Sequence, residues 1–114
     1  MKSKPNILVV CGRNKRRSRT AEFIFKNDSR FTIRSGGLSS KSDRQVSEKD
    51  ILWANLILVM DHGQRNRIWS SYRNLSIPPV EVLEIDDVYP YLDEELISML
   101  KDRINGTLQH IYKI

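Results

Sequence analysis

Cys11 stands ahead of Arg17 with five residues between them, and Ser18 follows the arginine directly. Five residues are enough for a backbone to curl so that successive N–H groups turn into one concavity, a nest for an anion. A helix starting after the curl would add the positive end of its dipole. A thiol at the mouth of such a ring attacks as a thiolate, and a phosphate group is the electrophile the ring would hold. Arg17 can return to the same centre and grip two phosphate oxygens through its planar fork, which a lysine could not match. Ser18 can donate a hydrogen bond to the sulfur as it leaves in a second step. The backbone amides of Gly12, Arg13, Asn14, Lys15 and Arg16 would complete the phosphate site. Gly12 would let the backbone approach the ligand closely, and Asn14 tolerates a left-handed turn. The side chains of Arg13, Lys15 and Arg16 belong at its rim, either as anion ligands or as a solvated face.

The reaction also needs a proton donor for the departing oxygen. Asp86 and Asp87 are the two carboxylates the chain order can bring to the loop, and both stay open, as catalysts or as turn residues. Asp61 reads as a helix cap, and His62 and His110 carry no argument. The chemistry requires no metal or other cofactor, and no cluster of His, Cys and carboxylates suggests one.

These residues need a scaffold. Asn6 to Val10 is a continuous apolar run bounded by Pro5 and Gly12, which predicts a strand buried on both faces. Helical spacing begins at Ser18, with Ala21, Ile24 and Phe25 on one face. Phe31 to Ser35 predicts a second strand, and the Gly- and Ser-rich segment from Gly36 to Gln45 predicts an exposed loop. Ser47 and Asp50 mark the start of a short helix. Leu56 to Met60 predicts a third strand, and Asp61 with Gln64 forms a capping box for the next helix, whose inward face is Ile68, Trp69 and Tyr72. Arg65, Arg67 and Arg73 fall mostly outside. Val80 to Leu83 predicts a fourth strand. Leu96, Leu100, Ile104 and Leu108 then recur every four residues, the pattern of a long amphipathic helix. Strands alternating with helices imply an α/β fold with a parallel sheet covered on both faces. In such sheets ligands bind at the carboxyl ends of the strands. Cys11, Asp61 and the Asp86–Asp87 pair all fall at that edge.

The chain has 114 residues and a formal net charge of +5. That length suits a single domain over residues 1–114, large enough to bury a core without metals or disulfides. The one cysteine permits no intrachain disulfide and suits a reducing compartment, the cytoplasm. The apolar stretch before Cys11 is too short for a signal peptide or a membrane span. The positive charge favours anionic partners, phosphorylated substrates first and nucleic acid second.

The segment Val9-Val10-Cys11-Gly12-Arg13-Asn14-Lys15-Arg16-Arg17-Ser18-Arg19-Thr20-Ala21-Glu22 resembles the low-molecular-weight protein tyrosine phosphatases, and more closely a short bacterial branch of them. Arg34-Ser35-Gly36-Gly37 is similar to another segment of that family, as is the run from Leu83 through Asp87 and Tyr89 to Leu96. The resemblance covers nearly the whole chain. It implies a single phosphotyrosine phosphatase I-like domain, a four-stranded parallel sheet in the order 2-1-3-4, and hydrolysis of phosphotyrosine or other aryl phosphates through a cysteinyl phosphate. It implies that Ser35 supports Asn14, and alignment on Tyr89 and Leu92 favours Asp87 over Asp86 as the acid. Tyr89 and Tyr91, in the acid loop, would either wall the pocket beside an aromatic substrate or pack the loop. The long members of the family often carry a second cysteine in the loop where Arg16 stands, so that redox switch is not available here. The related arsenate reductases need further cysteines that this chain lacks. A non-catalytic phosphate- or nucleic-acid-binding module is the alternative.

Overall fold

Every side chain from Ile7 to Cys11 is buried, which forces the first strand into the middle of a sheet with both faces covered. The structure of the chain, a computed structural model, describes residues 4–13 and 15–114. Strand β1 (Asn6–Cys11) pairs in parallel with β2 (Thr32–Gly37) on one side and β3 (Leu56–Val59) on the other, and β4 (Val80–Val82) lies beyond β3. The order is therefore 2-1-3-4 and every pairing is parallel, as expected from the sequence.

The period of two along the central strands divides the core. Ile7, Val9 and Cys11 join Leu56, Leu58 and Met60 on one face, packed against Ala21 and Phe25 of α1 (Arg17–Phe25). Leu96, Leu100, Ile104 and Leu108 of α4 (Glu94–Tyr112) cover the same face, all fully buried. Leu8, Val10, Ile57 and Val59 point the other way, against Ile51 of α2 (Glu48–Trp53) and Ile68 of α3 (His62–Ser71). Each such buried aliphatic side chain contributes about 1.5–3 kcal/mol relative to exposure. Local chemistry starts three of these helices where expected or nearly so. Ser47 and Asp50 form a reciprocal capping box, Asp61 accepts from the Gln64 amide, and Asp93 accepts from the amides of Glu95 and Leu96.

Two expectations need correction. The loop predicted from Gly36 is strand at first: β2 continues through Gly36 and Gly37, and both glycines and Leu38 are buried. Trp69 does not face the core. It is 46% exposed, with the Arg65 guanidinium over its ring, because Ile68 and Tyr72 already fill the space under α3. Among the described residues no helix is long and apolar enough to cross a membrane.

Candidate active site

β1 ends at Cys11 and α1 begins at Arg17, so the intervening chain turns over the carboxyl edge of the sheet. What holds this turn is the segment after β2. The carbonyls of Cys11, Gly12 and Arg13 accept from the amides of Leu38 at 3.1 Å, Ser39 at 2.8 Å and Asp43 at 3.2 Å. Three consecutive carbonyls of the turn are thus committed to the segment after β2. Helix α1 opens without a side-chain hydrogen bond from its cap residue Arg16 and without an acid in its first turn. Its positive end is thus available to an anion.

The glycine that this arrangement needs is Gly37. A Cβ there would lie 2.0 Å from Ser42 Oγ and 2.7 Å from the Arg13 carbonyl carbon. Gly12, which the sequence singled out, has nothing within 4 Å of an added Cβ, so packing does not demand a glycine there. Asn14 lies outside the described residues. Ser35, linked to Asn14 by the sequence, is buried and donates to Glu22 Oε1 at 2.6 Å, tying β2 to α1.

Cys11 and Ser18 sit side by side. Sγ and Oγ are 3.0 Å apart, Cys11 is 3% exposed, and Ser18 is fully buried. Beside them lies Arg17, a guanidinium held almost entirely inside the protein. Its Nη1 donates to the Ile85 carbonyl at 2.6 Å, and its Nε sits 3.6 Å from Asp87 Oδ1. That separation is an ion pair without a hydrogen bond, and among the described residues Nε has no acceptor. A buried guanidinium N–H left in this state is short of one acceptor, which an anion oxygen could supply. Asp87 also reaches Arg16 Nε at 3.7 Å, and its side chain is about half exposed.

A cavity of about 360 Å³ brings Cys11, Gly12, Arg17 and Asp87 together, with Arg13, Lys15 and Arg16 around them. Asp86 is absent from this lining. It borders a neighbouring cavity with Met60, Asp61 and His62, into which Arg17 and Asp87 also extend. Neither tyrosine lines the Cys11 cavity. Tyr89 packs against the core with its hydroxyl 4.0 Å from Met99 Sδ, and Tyr91 lies outside, 42% exposed, with the Arg19 guanidinium 5.8 Å from its ring centroid.

Two lining residues escaped the sequence reading, Ser39 and Arg67. Ser39 follows β2 at the same sheet edge as Cys11, which was a usable signal. Arg67 was assigned to the outer face of α3, and helical spacing alone does not tell an outer face from a cavity wall. It donates to the Leu38 carbonyl at 3.3 Å, so α3 touches the segment that buttresses the turn.

No protein-family model and no curated protein sequence matches this chain. Solved structures do. The YwlE arginine phosphatase from Geobacillus stearothermophilus is 21% identical, with a TM-score of 0.71 over 93% of this chain and 94% of that one. SP-PTP, a low molecular weight protein tyrosine phosphatase from Streptococcus pyogenes, is 16% identical with a TM-score of 0.77 over 94% and 93%. The tyrosine phosphatase Wzb from Escherichia coli K30, solved in complex with phosphate, is 18% identical with a TM-score of 0.69 over 96% and 99%. At these identities the likeness is one of fold, and the fold is that of the low-molecular-weight protein tyrosine phosphatases.

Proposed function

We propose that the chain is a cysteine-dependent phosphatase that hydrolyses phosphotyrosine or other aryl phosphates through a cysteinyl-phosphate intermediate. The observation that carries this reading is the convergence of Cys11, Arg17 and Asp87 on one cavity from the end of β1, the start of α1 and the loop after β4. Arg17 and the amides of Gly12, Arg13, Lys15 and Arg16 hold the phosphate, with Asn14 in the same loop. Cys11 Sγ attacks phosphorus, the bond from phosphorus to the leaving oxygen breaks, and Asp87 gives that oxygen its proton. Water then attacks phosphorus, Asp87 takes a proton from it, and the phosphorus–sulfur bond breaks to return the thiolate. The Ser18 hydroxyl, 3.0 Å from the sulfur, donates to the thiolate as it leaves. Asp87 takes precedence over Asp86 because it borders the same cavity as Cys11 and Asp86 does not. A reducing cytoplasm would keep the lone Cys11 in its thiol state.

Two of the structural neighbours are arginine phosphatases, one of them DARP from Drosophila. Phosphoarginine brings a guanidinium to the rim, where Arg13, Lys15, Arg16 and Arg67 would repel it. Phosphotyrosine therefore ranks above phosphoarginine for this chain. The non-catalytic reading, an anion-binding module for phosphate or nucleic acid, accounts for the cations but leaves the Cys11–Ser18 contact and Asp87 without a task.

The test is turnover of p-nitrophenyl phosphate by the wild type and by Cys11→Ser. We expect hydrolysis by the first and none by the second. Equal rates would overturn the mechanism, and phosphate binding with no turnover by either would favour the binding module.

A further inference from the structure

The cavity holds more positive charge than one phosphate needs. Among the described residues its lining contains five cations, Arg13, Lys15, Arg16, Arg17 and Arg67, against one carboxylate, Asp87. Asp87 is within ion-pair range of Arg16 and Arg17 alone among the described residues. Among the described residues Arg13, Lys15 and Arg67 pair with no carboxylate, and three like charges around one concavity are repulsive unless something answers them. In the complex with substrate, the Cys11 thiolate and a dianionic phosphate answer three of the five. Asp87, carrying the proton meant for the leaving group, answers none. Two positive charges are left over, and they belong to the rim.

The cavity also lacks the feature that would select a neutral aromatic leaving group. Tyr89 is turned to the core and Tyr91 to the outer surface beside Arg19 and Phe23, so among the described residues no aromatic ring borders the 360 Å³ space. Selectivity there has to come from charge. Arg67 is the member best suited to set it. It comes from α3, outside the turn that would grip the scissile phosphate, and it stands against Leu38 at the wall.

We propose that the site prefers phosphomonoesters carrying a second anionic group beside the scissile phosphate, read by Arg67 together with Arg13 and Lys15. This rests on the phosphatase reading above and specifies its substrate class. The second anion is either a paired carboxylate flanking phosphotyrosine in a peptide or a second phosphate on a small molecule. Both present the same chemistry to the rim.

The experiment compares kcat/KM for three phosphotyrosine peptides of one length, with two Glu, two Gln or two Lys beside the phosphotyrosine, and for one small aryl bisphosphate. At low salt the Glu peptide is expected to exceed the Lys peptide by roughly tenfold, with the Gln peptide between them. The preference should shrink as salt rises toward physiological strength and beyond. Arg67→Gln, which can still donate to the Leu38 carbonyl but carries no charge, is expected to cut the Glu-to-Lys ratio by about threefold, and Arg67→Lys to restore it, so that the effect follows charge and not the tether. A bisphosphate that outruns all three peptides identifies a small-molecule source, and a Glu peptide that leads identifies a protein source. Equal kcat/KM for the Glu and Lys peptides overturns the inference, while p-nitrophenyl phosphate turnover separately reports on the phosphatase reading. Should no substrate turn over, affinities of the same peptides for Cys11→Ser decide the matter: the Glu peptide binds tightest, or the inference fails.

Discussion

The guanidinium of Arg17 donates at 2.6 Å to the carbonyl of Ile85, 68 residues along the chain, joining the start of α1 to the loop that carries Asp87. The proposed phosphate clamp and the proposed proton donor are therefore mechanically coupled. Arg17 would hold an anion with the rest of its fork while that one N–H keeps the acid loop in place.

This coupling predicts that Arg17→Lys is far from conservative. A lysine has no planar fork with which to serve the Ile85 carbonyl and a phosphate together. We expect kcat/KM to fall by at least about 10²-fold, with about 1–3 kcal/mol lost in stability as the buried carbonyl loses its donor. Steady-state kinetics and denaturant melts check both. A mild kinetic loss with unchanged stability would separate the two roles.

The two aspartates should behave differently. Asp87→Asn is expected to lower kcat by roughly 10²–10⁴-fold while phosphate still binds, because proton donation is removed and the anion site is kept. Asp86→Asn, altering a residue outside the Cys11 cavity, should change kcat by less than about threefold. Comparable losses from both would reopen the assignment.

Gly37 and Gly106 make a matched pair. In Gly37→Ala the new methyl meets Ser42 Oγ and the backbone of Arg13, so the turn after β1 must shift. We expect a loss of about 1–3 kcal/mol together with reduced kcat/KM. Gly106, inside α4, has open space around an added Cβ, and Gly106→Ala should stabilise by about 0.5–1 kcal/mol without touching activity. Thermal melts of the two variants suffice.

Acid should find a weak point at Asp50. Burial pushes its carboxyl up, but hydrogen bonds from the Arg44 guanidinium, the Ser47 amide and the Ser47 hydroxyl, with the Arg44 charge, outweigh this and hold it below its ordinary value. Arg44 also donates to the Ser35 carbonyl and accepts from the Gly37 amide, so Asp50 anchors the segment that buttresses the phosphate turn. A carboxyl held lower in the folded than in the unfolded chain adds stability at pH above its unfolded value. That contribution fades as pH falls through the folded one. Asp50→Asn should cost about 1–3 kcal/mol at neutral pH, and its Tm gap from wild type should narrow as pH falls below about 4. A gap independent of pH would contradict this origin.

Legibility in the sequence followed the physics of each part. Strands such as Ile7–Val10, apolar on both faces, could only be central, and four-residue spacing from Leu96 to Leu108 could only be a helix laid on the sheet. Sheet order followed from the family resemblance. At the candidate site, Cys11, Arg17 and Ser18 come from one local motif, so a short stretch of sequence suffices to bring them near one another. Contributions from distant elements were less readable. Arg67 reaches the cavity from a helix whose outer face looks like any solvated face, and Tyr89 could be seen in the acid loop but not its turn toward Met99. The role of Gly37 depends on Ser42 and Arg13 arriving beside it, which no local pattern encodes.

The most direct test asks whether phosphorus becomes attached to Cys11 during turnover. Asp87→Asn, which also lacks the base for the second step, is mixed with p-nitrophenyl phosphate, quenched, and mapped by peptide mass spectrometry. A phosphate adduct is expected on the peptide containing Cys11, accumulating in this variant and missing from Cys11→Ser. Phosphate release with no adduct on that peptide, and with Cys11→Ser as active as wild type, would contradict it.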